Sequence, residues 1–341
     1  MRNTYKRPKF QKKITNKTRI AIFILIGVAI YFLSGAVDEL RVYQGATVSV
    51  YVVGIASLIL LTGYSGQVSL GQGALLGIGG YAAALTRNHF HAPVWIAFSV
   101  AILIAAFFGA LLGLAAARLS GPYLAGTTLA LAVGLPSIAN QFKILGGEQG
   151  LLFDVGFPPL SLGQDFTQYK WFFWIASLAT LMAIFWLQNV MRSRYGRAWK
   201  AVRGNDVAAE LAGINLTRNK TLAFTLSAGL AGLSGALLAM TIGTVSPSAF
   251  PLGLSFSLLT GAVLSGVTTL SGVMIGAVTL VAIPEVADVV AHKLGTSESV
   301  TTNLPGLMVS ALLIVTVLFV PNGPVEQHRA RTAKKLAAKN K

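Results

Sequence analysis

The chain has no cysteine among its 341 residues. Disulfides, thiolate metal sites and a cysteine nucleophile are therefore excluded. Charge is almost as scarce: Asp, Glu, Lys and Arg make up 11% of the residues, where a soluble domain carries roughly 25%. Acidic residues are the scarcer half, 11 against 27 Lys plus Arg, for a formal net charge of +16. Hydrophobic residues reach 54%. Such a chain is neither a soluble globular domain nor a disordered one. Catalytic signatures are missing too. No G-x-x-x-x-G-K-[ST] phosphate loop occurs, so ATP is not bound by that route. Gly71-Gln72-Gly73 begins like a dinucleotide fingerprint, but the sixth-position Gly is absent and the stretch is apolar helix, not a strand-to-helix turn. No H-E-x-x-H or G-x-S-x-G pattern is found. His89 and His91 stand two apart, which does not share a helix face, and no acidic cluster flanks them. They read as loop residues. The chain is read as a non-enzyme with no catalytic, cofactor or metal residues.

What charge there is falls in clusters. Eight basic residues lie in 1–19, seven in 192–220 and six in 329–341, which together are 21 of the 27. Clustered Lys and Arg between long apolar runs follow the positive-inside rule of membrane proteins. Nucleic acid is not implied; the basic tails suit anionic lipid headgroups instead.

Ten apolar elements can be marked out: Ile20–Val37, Ala46–Gly63, Leu70–Thr86, Val94–Ala117, Pro122–Phe142, Trp171–Val190, Thr221–Gly243, Leu252–Gly266, Val273–Val290 and Pro305–Val320. Six before the basic loop 191–220 and four after it put both basic tails and the loop on one side, the cytoplasm of a bacterial-type cell. Loop 143–168, with Glu148, Asp154 and Asp165, falls outside. Leu70–Thr86 and Leu252–Gly266 are short and Gly-rich, as a broken or re-entrant helix would be. Cleavage near Ser34-Gly35-Ala36 would leave nine elements and turn the basic loop outward, so the first run reads as a retained span. The expected fold is an all-α polytopic membrane protein. It has a basic tail at 1–19, a membrane domain at 20–320 and a second basic tail at 321–341.

Gly73–Gly77, Gly109–Gly113 and Gly272–Gly276 have the spacing that lets helix backbones approach closely in lipid. They serve packing within the bundle or an interface to a second membrane subunit. In the loop 191–220, Asn205 or Asp206 can cap a short helix and Gly213 can end it. Val207, Leu211 and Ile214 then fall at i, i+4 and i+7 on one small apolar face. So short a helix needs a surface to rest on, either a soluble partner or this protein's own bundle.

Several segments, in order over roughly 45–325, resemble the permeases of ATP-driven (ABC) importers for branched-chain amino acids, the LivM-like family. They are Gly63-Tyr64-Ser65-Gly66-Gln67-Val68-Ser69-Leu70-Gly71 with Gly77-Ile78-Gly79-Gly80-Tyr81, and Leu119 to Leu129. Further on come Arg194-Tyr195-Gly196-Arg197-Ala198, Asp206-Val207-Ala208-Ala209-Glu210 with Gly213-Ile214-Asn215, and Phe319-Val320-Pro321-Asn322-Gly323. The chain departs from the family's pattern at Ser265–Thr268, where glycines are fewer. It departs again at Gly146–Gly150, and Gly204-Asn205 is closer to sugar-type permeases.

The resemblance implies a homologous permease partner, two cytoplasmic ATPase subunits that bind the ATP, and an extracytoplasmic solute-binding protein. It makes the segment from Asp206 through Val207, Glu210, Leu211 and Gly213 to Ile214 the coupling helix. Gln67, Ser69, Gln72 and Glu285 are candidates for the translocation path, being polar at membrane depth. The first three can equally cap and pack a helix. Glu285 lies about 18 Å into its span, just after Pro284, as an outer gate, a salt-bridge partner or an interfacial residue. Urea, short amides and sugars are alternative solutes. An ion-coupled transporter is the competing class, and it would carry more deep ionisable groups than Glu285 alone.

Overall fold

A computed structural model describes residues 16–119, 121–159, 166–266, 270–294 and 298–319. The basic tails therefore lie almost wholly outside the described residues, as do Val267, Thr268 and most of the segment 319–323. Ten long helices account for the ten expected elements. They are α1 (Asn16–Ala36), α2 (Glu39–Leu58), α3 (Gln72–Phe90), α4 (Val94–Ala116), α5 (Pro122–Gln141) and α6 (Gln168–Arg192). Two short helices follow, α7 (Arg194–Gly204) and α8 (Asp206–Leu211), and then α9 (Leu216–Ile242), α10 (Leu252–Ser265), α11 (Val273–Leu294) and α12 (Glu298–Phe319). The only paired strands among the described residues are β1 (Leu151–Leu152) and β2 (Thr244–Val245), antiparallel.

Eight of the ten long helices are long and apolar enough to cross a membrane. The other two are α1, whose apolar run is residues 20–36, and α3. The reason at α3 is its surroundings. Nearly every residue from Gln72 to Thr86 is buried, and a helix sheathed by protein needs Gly and Ala for close contact more than Leu and Ile for lipid. It is not re-entrant. Its start lies beside the start of α9, where Gln67 Nε2 reaches the Lys220 carbonyl. Its end lies beside the end of α9: Asn88 Nδ2 donates to the Leu152 carbonyl, and β1 pairs with β2 just beyond Ile242. So α3 traverses the bundle. The α7–α8 end is called the basic end below.

The central helix is α9, packed on α2, α3 and α4. Contact there is backbone to backbone. A side chain at Gly235 would collide with the Leu76 carbonyl of α3, and one at Gly79 with Gly232. The Gly109–Gly113 pair of α4 seats on Thr221, Phe224 and Ala228 of α9. Gly73 and Gly77 face Ser255 and Leu135 with Phe250, and Gly276 meets Gly261. These small residues are spent on intramolecular packing.

Candidate functional site: the basic end and the α2–α3 joint

The basic end is built from capped short helices. Ser193 opens α7 by accepting from the Tyr195 N–H at 3.2 Å. Asn205 opens α8, its Oδ1 accepting from Ala208 N at 2.9 Å, and Asn215 opens α9 in the same way from Arg218 N at 2.8 Å. Each cap satisfies one of the N–H groups a helix start leaves free. Gly213 ends α8 at φ +82°, and the next N–H, of Ile214, returns to the Ala209 carbonyl at 3.0 Å. These are the cap and the stop that the loop sequence predicts.

Helix α7 was not legible as a separate element, although Tyr195, Trp199 and Val202 repeat at i, i+4 and i+7. It anchors the loop. Trp199 is fully buried and its Nε1 donates to the Asn219 carbonyl at 2.9 Å. Arg194 hydrogen-bonds the Tyr195 hydroxyl at 3.0 Å, and the guanidinium lowers that phenol's pKa below its usual 10.

On α8, Ala209 is buried against the bundle, while Val207 is 66% and Leu211 85% exposed. Ile214 is half-buried, and Glu210 and Gly213 are exposed. Asp206 pairs with Lys220 of α9 at 2.6 Å, which ties α8 to the start of the central helix. Val207 and Leu211 thus point outward, while Ile214 at the end of the same face is partly covered.

Beside α7 lies the joint between α2 and α3. The last turn of α2 widens into a π-turn, Ile59–Tyr64, a form concentrated at functional sites. Residues 66–71 are non-helical, and their polar groups are satisfied by several helices. Leu70 N donates to Thr128 Oγ1 of α5 at 3.0 Å, and Gly73 N to Ser255 Oγ of α10 at 2.9 Å. Gln67 Nε2 donates to Ser65 Oγ at 2.5 Å, and Ser69 Oγ accepts from Gly71 N at 3.3 Å. Gln72 is fully buried; its Nε2 donates to Ser57 of α2 at 2.7 Å and Ser227 of α9 at 3.1 Å. Both hydroxyls already donate to carbonyls, Ser57 to Gly54 and Ser227 to Ser57, which orients the amide nitrogen toward them. Gln67 and Gln72 therefore join helices here, while Ser69 bonds within the joint itself.

Glu285 stands apart from this group, near the opposite end. It accepts from Gln44 and pairs with Arg41 of α2 at 3.4 Å, Arg41 being exposed and Glu285 half-exposed. Sequence reasoning reached Glu285 but could not name Arg41 as its partner, nor find Arg203, described below.

The bundle carries, on its polar loop, a short helix with two exposed apolar side chains, Val207 and Leu211. Comparison decides the family. The model described as "Branched-chain amino acid transport system / permease component" matches residues 42–318. The chain belongs to that family. Among its relatives, the high-affinity branched-chain amino acid transport system permease protein LivM of Salmonella typhimurium is 30% identical over 79% of this chain and 68% of its own length. LivM of Escherichia coli is 31% identical over 68% of this chain and 60% of its own length, so the chain spans about two thirds of these LivM proteins. A ribose import permease protein of Haemophilus influenzae is 24% identical over 76% of this chain and 78% of its own length. No solved structure matches the chain. The protein is a multi-pass membrane permease of this family.

Proposed function

We propose that this chain is one membrane-spanning half of an ATP-driven importer for branched-chain amino acids. A homologous permease supplies the other half. Two cytoplasmic ATPase subunits dock on the basic end, and a solute-binding protein delivers leucine, isoleucine or valine at the opposite end. Both termini lie in the cytoplasm, following the basic clusters.

The observation that carries this reading is α8. An apolar face left 66% and 85% exposed at Val207 and Leu211, on a helix fixed by Ala209, Asn205 and the Asp206–Lys220 pair, is built to be covered. Closing of the ATPase dimer moves α8 as a rigid piece, and the bundle exchanges outward-open and inward-open arrangements. ATP biases that exchange by its differential affinity for the two states. This chain catalyses no chemical step and holds no cofactor; hydrolysis belongs to the partners. Gln67, Gln72 and Glu285 enter the proposal through the helices they join, and Ser69 through the α2–α3 joint it lies in; rearrangement there opens the path.

The test is reconstitution of the complex in proteoliposomes. Uptake should require ATP and the binding protein and survive collapse of the proton gradient. Uptake that persists without ATP and fails with the gradient would place the chain among ion-coupled transporters. The ribose permease relative makes ribose the competing solute to include.

A further inference from the structure

The basic end touches the bundle at one further place. The guanidinium of Arg203, one residue before the end of α7, donates through Nη1 to the carbonyl of Gly63. That carbonyl belongs to the final π-turn of α2, and a helix end leaves its last carbonyls without intrahelical partners. The stem of Arg203 lies flat on Gly66. A Cβ there would come within 2.9 Å of Arg203 Cγ and 3.2 Å of Arg203 Cβ, and Gly66 has φ +75°, so a side chain at 66 is strained while the Arg203 stem is in place. One turn earlier, the Lys200 ammonium stands 4.8 Å from the centre of the Tyr64 ring. Two cations of α7 therefore hold residues 63–66.

Beyond Gly66 the chain has few independent degrees of freedom. It is bonded in turn to α9 through the Lys220 carbonyl, to α5 through Thr128 and to α10 through Ser255. Among the described residues, Gln67 Oε1 and Gln72 Oε1 are buried with no hydrogen-bond partner, one on each side of this segment.

We infer that Arg203 is a positioning residue. With the Gly63–Gly66 turn it forms the joint by which motion of the α7–α8 loop enters the bundle, and residues 67–73 are the strut that spreads it to α5, α9 and α10. This rests on the reading that α8 docks an ATPase. It goes further by naming where the force passes.

The absence of cysteine allows a reversible test. Gly66→Cys with Arg203→Cys removes the guanidinium and sets two Cβ atoms close to the 3.5–4.5 Å separation of a disulfide. Uptake per ATP hydrolysed is read for the assembled complex, reduced and oxidised, beside wild type and beside Arg203→Met and Arg203→Lys. Arg203→Met keeps the stem on Gly66 and should lower uptake per ATP at least tenfold, with ATPase association unchanged and Arg203→Lys intermediate. The double variant should be uncoupled when reduced and recover coupling when oxidised. The same uptake per ATP in the reduced and oxidised forms, or in Arg203→Met and wild type, would overturn the assignment. The redox comparison is made on a double variant that melts as one folded species; Arg203→Met, which leaves Gly66 in place, decides the assignment if the double variant does not fold. Failure of the wild-type complex itself to take up solute with ATP would be a failure of the proposed function, seen in a separate arm.

Discussion

Truncation of Leu211 to Ala separates docking from folding. Leu211 is 85% exposed, so its side chain contributes almost nothing to the stability of the isolated chain, and Leu211→Ala should change that stability by less than about 0.5 kcal/mol. Covered by a partner, the same side chain loses nearly all its contact with water. Full burial of a leucine is worth about 1.5–3 kcal/mol. Taking about 2 kcal/mol, and a tenfold change for each 1.4 kcal/mol, the Ala variant should bind the proposed ATPase subunits about 30-fold more weakly. Leu211→Asp should weaken binding at least about 100-fold, since a carboxylate is then forced against an apolar groove. Ala208→Ser, off the apolar face but also exposed, is the control and should change little. Affinity is measured on the detergent-purified chain against the ATPase, with a melting curve of each variant alongside. Unchanged affinity in Leu211→Ala and Leu211→Asp, with all variants folded, would refute the docking role of α8.

Other consequences follow from the packing. Gly235→Leu should abolish assembly of a folded bundle, because even a Cβ collides with the Leu76 carbonyl; loss of a monodisperse peak in detergent is the readout. Ser255→Ala leaves Gly73 N without its partner and should cost about 1–3 kcal/mol, seen as a lower melting temperature. Glu285→Gln removes a mostly exposed ion pair with Arg41 worth about 0–1 kcal/mol, so thermal stability should hardly move; a drop of more than about 5 °C would mean the pair is stronger than its exposure allows.

Hydrophobic runs locate helices well when lipid surrounds them. The expected Val94–Ala117 and Pro122–Phe142 fall within one residue of α4 and α5. The Asn205 cap and the Gly213 stop were legible because capping is local chemistry. Where protein replaces lipid, apolarity stops being informative, which is why α3 looked broken and short although it runs to Phe90. The π-turn at Ile59–Tyr64 left no signal in spacing. Arg203 was invisible for a different reason. Its partner Gly63 is 140 positions away, and periodicity carries no information on which turn of one helix meets which residue of another. The same limit hid the Arg41–Glu285 pair and the meeting of Gly79 with Gly232. The GxxxG spacings were visible, yet only the fold shows that they pack inward.

The central claim is tested most directly by labelled leucine uptake at micromolar concentration, in cells with and without this chain. Isoleucine, valine, urea and ribose serve as competitors. The account predicts that high-affinity uptake disappears without the chain and that only isoleucine and valine compete. Leucine uptake that is unchanged by removal of the chain would contradict it.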